Sequence, residues 1–87
     1  SPNYPNPFNP ETTISYEIAS DGNARIDIFN LKGQLVKTLV NDNKVSGPHR
    51  VVWNGTDKYG RKVASGIYQY RLITKDGSIT KKMILMK

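Results

Sequence analysis

The sequence contains no cysteine, and it has only one histidine and one tryptophan among its 87 residues. Without cysteine the chain cannot form disulfides, thiolate metal sites or a cysteine nucleophile, and its redox compartment cannot be inferred. With His49 alone, a nucleophile–histidine pair would require one of the scattered serines to approach that ring by chance. The sequence therefore predicts a non-catalytic protein without a cofactor or a metal.

Long apolar runs are also missing. No segment approaches the about 18 to 20 apolar residues that a membrane-spanning helix requires, and residues 1–10 lack the basic start and apolar stretch of a signal peptide. We therefore expect no insertion into a membrane. Because the sequence begins with Ser1 and not with methionine, we expect it to be part of a longer protein.

The chain is basic, with thirteen Lys and Arg residues against seven Asp and Glu residues and a formal net charge of +6. Such an excess would suit nucleic acid, anionic lipid or lipopolysaccharide. The basic residues are dispersed, however, with acidic residues between them, and Lys81-Lys82 is the one pair of adjacent lysines. This pattern is typical of a solvated surface, and nucleic acid is not a predicted partner.

Proline is concentrated at the beginning, where residues 1–11 contain four of the five prolines. Each proline fixes its own φ and biases the preceding residue toward an extended backbone. Residues 1–11 are therefore predicted to form a stiff lead-in, and residues 12–87 a single domain. A domain of this size buries about 60 to 65% of the surface of its unfolded chain, so a deep active-site cavity is not expected.

Beyond the lead-in, apolar residues alternate with polar ones, which is the pattern of half-buried β-strands. Strands are predicted at residues 13–18 and 24–29, and Asp21-Gly22 would join them as a hairpin. Further strands are predicted over four segments, namely residues 34–40, 49–53, 67–74 and 78–86.

The segments between the predicted strands are rich in turn-forming residues. A tight turn with a positive φ is expected at residues 30–33 and a hairpin turn at 75–77, residues 41–48 are predicted to be a loop, and a short extended stretch at 62–64 would add a seventh strand. Six or seven short strands predict an all-β antiparallel sandwich. A helix over residues 31–40 is the alternative, because its leucines also fit a spacing of 3.6, although Gly33 disfavours it.

Two kinds of binding site remain formally open. Residues 54–60 offer oxygen ligands beside a glycine turn, but Asp57 is their one carboxylate, which falls short of an EF-hand calcium loop. Four aromatic residues would form a carbohydrate-binding platform if they were exposed in a line, namely Trp53, Tyr59, Tyr68 and Tyr70. A single tryptophan on a sandwich strand is favoured as a core residue. An accessory carbohydrate-binding module is therefore an alternative function.

Several segments spread over the chain together resemble one known family. They are YPNPFNP at residues 4–10 with TTISY at 12–16, IFNLKGQLV at 28–36, GPHRVVWNG at 47–55, SGIY at 65–68 and KKM at 81–83. In combination they resemble the type A C-terminal sorting domain of the type IX (Por) secretion system. They also resemble the similar Ig-like domain of flagellar hook-capping proteins, which shares the Phe8-Asn9-Pro10 form of the opening.

This resemblance implies an Ig-like or fibronectin III-like sandwich that serves as a non-catalytic module of a larger passenger protein, which is secreted to the outer cell surface. Its implied partners are the outer-membrane translocon and a sortase-like peptidase, which removes the domain and joins the passenger to anionic lipopolysaccharide. The residues implied in recognition are Pro5, Asn6, Pro7, Gly33, Gly66, Tyr68, Lys81, Lys82 and Lys87. A last strand at a sheet edge would also let a receptor add a strand of its own. A structural module of the hook-capping kind is the alternative.

Overall fold

The structure, a computed structural model, describes residues 11–86. Within this range it contains six β-strands and no helix. The strands are β1 Thr12–Ile18, β2 Gly22–Phe29, β3 Leu35–Lys44, β4 Gly47–Trp53, β5 Gly66–Thr74 and β6 Gly77–Leu85. The predicted all-β sandwich is confirmed, and the alternative of a helix over residues 31–40 is wrong.

The strands form two antiparallel sheets that enclose one core. One sheet contains β1 and β4, and the other has the order β3-β2-β5-β6. The predicted hairpin between β1 and β2 is therefore wrong, because these consecutive strands lie in different sheets. Both strands bury one alternating apolar face in the same core, and alternation alone does not distinguish two strands that pair from two that pack face to face.

The core lies between the sheets and consists of the alternating apolar residues. Its buried members are Ile14, Tyr16, Ile18, Ala24, Ile26, Ile28, Val36, Val40, Trp53, Tyr68, Leu72 and Leu85. Trp53 has an exposed fraction of 0%, and its indole Nε1 donates a hydrogen bond of 2.9 Å to the Thr56 carbonyl oxygen. The prediction that Trp53 is a core residue is confirmed.

Residues 41–48 were expected to be a loop, and this prediction is wrong. β3 continues to Lys44, opposite Gly22 of β2, and β4 begins only three residues later at Gly47. The side chains of residues 41–43 are exposed. Their backbone groups can therefore pair with β2 without the burial of a polar side chain. Asparagine and aspartate are rare in strands. Here the backbone hydrogen bonds between β3 and β2 outweigh the low strand propensity of these residues.

The predicted turns at residues 30–33 and 75–77 are present. The first joins β2 to β3, and the second joins β5 to β6 through the pairing of Thr74 with Gly77. Residues 62–64 do not form a seventh strand, although Lys62 makes an isolated bridge with Thr56.

Candidate recognition surface

The turn at Gly33 is held by the side chain of Asn30. The Asn30 Oδ1 accepts hydrogen bonds from the backbone N–H groups of Lys32, at 2.9 Å, and Gln34, at 3.0 Å. The Gly33 N–H donates to the Asn30 carbonyl oxygen at 3.0 Å. Gly33 has a φ of 82° with nothing within 4 Å of an added Cβ, so glycine is needed here for its backbone conformation and not for space.

Tyr68 lies near the start of β5 and is buried. Its hydroxyl donates a hydrogen bond of 2.6 Å to the Ala64 carbonyl oxygen, and its ring meets Trp53 edge to face at 5.1 Å. Burial raises the pKa of the Tyr68 hydroxyl, because ionisation would place a charge in a poorly solvated site. The observed contacts of Tyr68 therefore hold the segment that leads into β5.

The Gly33 turn and the start of β5 are brought together by the fold. Between them lies a shallow depression of about 340 Å³, lined by Asn30, Leu31, Lys32, Gln34, Ser65, Gly66, Ile67 and Tyr68. Two of the lining apolar residues, Leu31 and Ile67, are exposed. Two residues implied in recognition, Gly66 and Tyr68, thus line this depression, and Gly33 lies in the turn that borders it.

Lys81 and Lys82 lie elsewhere, on β6 at the edge of the four-stranded sheet. Lys81 is opposite Tyr70 and Lys82 is opposite Gln69. Directly opposed residues of antiparallel strands share a face, so Lys81 is on the side of the half-buried Tyr70 and Lys82 is on the outer side. The two lysines therefore present charge on both faces of the same edge strand.

A groove of about 520 Å³ adjoins this edge, where the two-stranded sheet leaves part of the four-stranded sheet uncovered. Its lining consists of Ser15, Tyr16 and Glu17 from β1, Pro48, His49 and Arg50 from β4, Tyr70 and Leu72 from β5, and Ile79 and Lys81 from β6. Sequence reasoning did not predict this groove, because alternation within strands does not show how far one sheet covers another.

The remaining residues implied in recognition, Pro5, Asn6, Pro7 and Lys87, lie outside the described residues. Their role stays a prediction from the resemblance, as does recognition through the other five. The structure shows where those five lie and what they contact.

His49 contacts the chain just before β4 and a tyrosine ring of β1. Its Nε2 donates to the Val45 carbonyl oxygen at 2.7 Å, and its ring stacks on Tyr16 with centroids 5.4 Å apart. Among residues 11–86, no three His, Asp or Glu side chains are grouped so that they could hold a metal ion. The observed role of His49 is packing across the β1–β4 pair.

Residues 54–60 were considered above as a source of calcium ligands. The one carboxylate among them, that of Asp57, accepts hydrogen bonds from the backbone of its own loop. Asp57 Oδ1 accepts hydrogen bonds from the N–H groups of Arg61, at 3.0 Å, and Tyr59, at 2.9 Å. The N–H of Arg61 is the main cause that holds the pKa of the Asp57 carboxyl below its ordinary value, with smaller contributions from the Tyr59 N–H and the Arg61 charge.

The same loop covers the outer edge of β3. The sequence analysis did not predict this contact. The Lys58 N–H donates to the Val36 carbonyl oxygen at 2.9 Å, and Lys37 Nζ donates to Thr56 Oγ1 at 3.1 Å. Asp57 and Gly60 signalled a turn in the sequence, but a turn signal does not indicate which strand the turn will cover.

The four aromatic residues do not form a line of exposed rings. Trp53 and Tyr68 are buried and Tyr70 is half-buried, whereas Tyr59 is 70% exposed on its loop. The cationic groups of Lys58 and Arg61 lie 5.5 and 5.0 Å from the centroid of the Tyr59 ring. Of these four aromatic residues, only Tyr59 is mostly exposed, and its ring already contacts two cationic side chains.

In the described range there is no helix that is long and apolar enough to cross a membrane. No curated protein sequence matches the chain. Among solved structures, FlgD from P. aeruginosa matches with a TM-score of 0.69 and 23% identity, over 86% of this chain and 57% of that one. FlgD from Xanthomonas campestris matches with a TM-score of 0.64 and 23% identity, over 88% of this chain and 56% of that one. The chain thus spans little more than half the length of these proteins, and at such identity the likeness shows the fold alone.

A third solved structure is much larger. Dimeric latent PorU from Porphyromonas gingivalis matches with a TM-score of 0.68 and 28% identity, over 97% of this chain but only 9% of that one. The family described as FlgD Ig-like domain matches residues 6–78, which is well over half of the sequence. This match, with which the two-sheet architecture agrees, shows that the chain belongs to the FlgD Ig-like domain family.

Proposed function

We propose that this chain is a non-catalytic sorting domain that directs a larger passenger protein through the type IX secretion system to the outer cell surface. The outer-membrane translocon would recognise the folded domain, and a sortase-like peptidase would then separate it from the passenger. The sequence motifs support this role, as does the likeness to a small part of the much longer PorU.

The observation that carries the proposal is the edge position of β6. Among residues 11–86, this strand pairs with β5 alone over Gly77–Leu85, and it bears Lys81 and Lys82 as exposed side chains. A sheet edge offers unpaired backbone donors and acceptors, which a receptor can use for recognition without an active site or a deep pocket.

The test is a reporter in which a signal peptide and a fluorescent protein precede the whole chain. It is expressed in a bacterium with a type IX system and in a mutant of that bacterium without the translocon. We expect fluorescence at the surface or in the medium in the first strain only. The variant that lacks residues 79–87 should remain in the periplasm.

Since that truncation also removes the buried Leu85, a second variant separates recognition from folding. The substitutions Lys81→Glu and Lys82→Glu change exposed side chains only, and Lys44→Glu with Lys58→Glu, away from β6, is the control with the same change of charge. Retention of the wild-type reporter in both strains, with the fusion intact and folded, would refute the sorting function.

A structural module of the hook-capping kind is the second candidate, because the family match is to the FlgD Ig-like domain. The complete gene distinguishes the two functions. A short protein with a flagellar scaffold region before this domain would favour the structural module, whereas a long hydrolase or adhesin there would favour sorting.

A further inference from the structure

The two outer edges of the four-stranded sheet differ in how they are protected. On the β3 edge, the register with β2 shifts twice, at Ile26/Asp27 and at Ile28/Phe29, which indicates bulges. The Lys58 N–H also occupies the outward-facing Val36 carbonyl oxygen at 2.9 Å. Bulges and covering loops are two devices by which proteins prevent another strand from joining an edge.

The β6 edge has neither device in the described part of the chain. Its nine residues pair with β5 in one unbroken register, from Gly77 opposite Thr74 to Leu85 opposite Gly66. Among residues 11–86, no loop donates a backbone hydrogen bond to this strand from outside the sheet. A regular edge of this length can accept a further strand.

What limits access to β6 is charge. Lys81 and Lys82 are adjacent, so an added strand would meet a positive charge on each of its two faces. Lysine at an edge opposes pairing with uncharged or basic strands, and a second copy of this basic chain would bring the same lysines close together. A strand with acidic side chains at two adjacent positions would instead form an opposite-charge pair on each face.

An exposed isoleucine shares a face with each of the two lysines, two residues away along β6. Ile79, 55% exposed, lies on the face of Lys81, and Ile84, 62% exposed, lies on the face of Lys82. Ile79 and Lys81 also line the groove of about 520 Å³, which Arg50 borders as a second base and Glu17 as its acid. The inner face of an added strand would lie beside this groove.

From this arrangement we infer that the β6 edge binds an extended segment of a partner protein that has two adjacent acidic residues flanked by apolar ones. The segment joins the sheet as a fifth strand, through backbone hydrogen bonds to β6. Lys81 and Lys82 select the segment by its charge. The inference deepens the proposed sorting role, and it rests on that role only for the identity of the receptor.

The test uses the whole 87-residue chain, labelled with ¹⁵N, and a nine-residue capped peptide. In the peptide, two adjacent central glutamates are flanked by alternating valine and threonine. Matched peptides carry glutamine or lysine in place of the glutamates. NMR titration at low salt should show shifts of the β6 amides. The glutamate peptide should bind about two- to thirtyfold more tightly than the glutamine peptide, and added salt should reduce the difference.

Charge reversal makes the test specific. The Lys81→Glu/Lys82→Glu variant should prefer the lysine peptide, and the control Lys44→Glu/Lys58→Glu, with the same net charge, should still prefer the glutamate peptide. Amide shifts that are confined to the neighbourhood of the substituted residues would show that both variants are folded. A swap of preference in the first variant alone would support the inference.

Three results would overturn it. The first is equal binding of the glutamate and glutamine peptides, or shifts that map away from β6. The second is self-association of the chain through β6, which would assign the edge to a second copy. The third is a change of the β6 amides, without peptide, when residues 1–10 are removed, which would assign the edge to the chain itself. Secretion of the reporter without peptide binding would refute this inference and leave the sorting function standing. Peptide binding without secretion of the reporter would refute the sorting function and leave this inference standing.

Discussion

The Tyr68 hydroxyl donates a 2.6 Å hydrogen bond to the carbonyl oxygen of Ala64, four residues earlier in the chain. Tyr68 stands near the start of β5, after the crossing from the two-stranded to the four-stranded sheet. A tyrosine that bonds back to the chain at this corner is a hallmark of Ig-like sandwiches. In this protein the hydrogen bond ties the segment before Gly66 to the core. That segment borders the depression beside the turn at residues 30–33.

Replacement of Tyr68 by phenylalanine should therefore destabilise the domain without emptying the core. We expect the free energy of unfolding to fall by about 1 kcal/mol, which corresponds to a decrease in Tm of about 4 to 8 °C for a domain of this size. Thermal and urea unfolding measure the effect. Tyr59→Phe is the control, because that ring is exposed, and equal stability of the two variants would contradict the structural role of the Tyr68 hydroxyl.

The raised pKa of Tyr68 also predicts a dependence of stability on alkaline pH. In the unfolded chain the hydroxyl ionises near its ordinary pKa of 10.0, whereas the folded protein retains the proton to higher pH. The unfolded state then binds fewer protons, so stability falls as the pH rises above 10.0. Unfolding curves from pH 8 to about 11 should show a smaller decline for Tyr68→Phe than for the wild type. Parallel curves would be inconsistent with the shift.

Gly33→Ala should strain the turn between β2 and β3. A side chain at a φ of 82° costs about 1 to 2 kcal/mol in the left-handed region. The space around the added methyl group is open, so no new packing offsets this cost. Chemical denaturation measures the loss. Lys32→Ala, at the neighbouring exposed position, should change stability by less than about 0.5 kcal/mol. A similar loss for both variants would show that φ at Gly33 is not the cause.

Trp53→Ala should be the most destabilising of these changes. Truncation of a fully buried tryptophan costs about 3 to 5 kcal/mol, which is a large part of the net stability of a small domain. Circular dichroism should show a largely unfolded or strongly destabilised chain. Val52→Ala, at the adjacent outward position of β4, should remain folded, and a folded Trp53→Ala domain of normal stability would contradict the described core.

Asp57→Ala should uncover the edge of β3. The carboxylate organises the loop that places the Lys58 N–H against the Val36 carbonyl oxygen, so amide exchange at Lys58 should become faster while that of β5 stays slow. Because the pKa of Asp57 is lowered on folding, its contribution is present above its ordinary pKa of 3.8 and is lost as the pH falls below that value. Acid should therefore lower the protection of the Lys58 amide, measured relative to its intrinsic exchange rate at each pH, in the wild type but not in the variant. Unaltered protection of Lys58 in Asp57→Ala would exclude this role.

Several features could be predicted from local sequence alone. The alternation around Ile14 and Ile26, the Asn30–Gly33 turn and the burial of Trp53 depend on interactions over a few residues or on the hydrophobicity of a single side chain. The residues implied in recognition could be placed on strands and turns in the same way. Their grouping into two surfaces, one beside Gly33 and one along β6, could not be predicted, because it depends on which strands become neighbours.

Side-chain periodicity and backbone preference in the sequence are enough to specify the positions of most strands, the tight turns and which face of each strand is apolar. The tertiary structure was needed to show that β1 pairs with β4 and not with β2, that β3 extends through the polar residues 41–44, and that β6 lies at an open edge. Strand pairing is a long-range choice that depends on how two sheets share one core, and the same alternating pattern is compatible with several such arrangements.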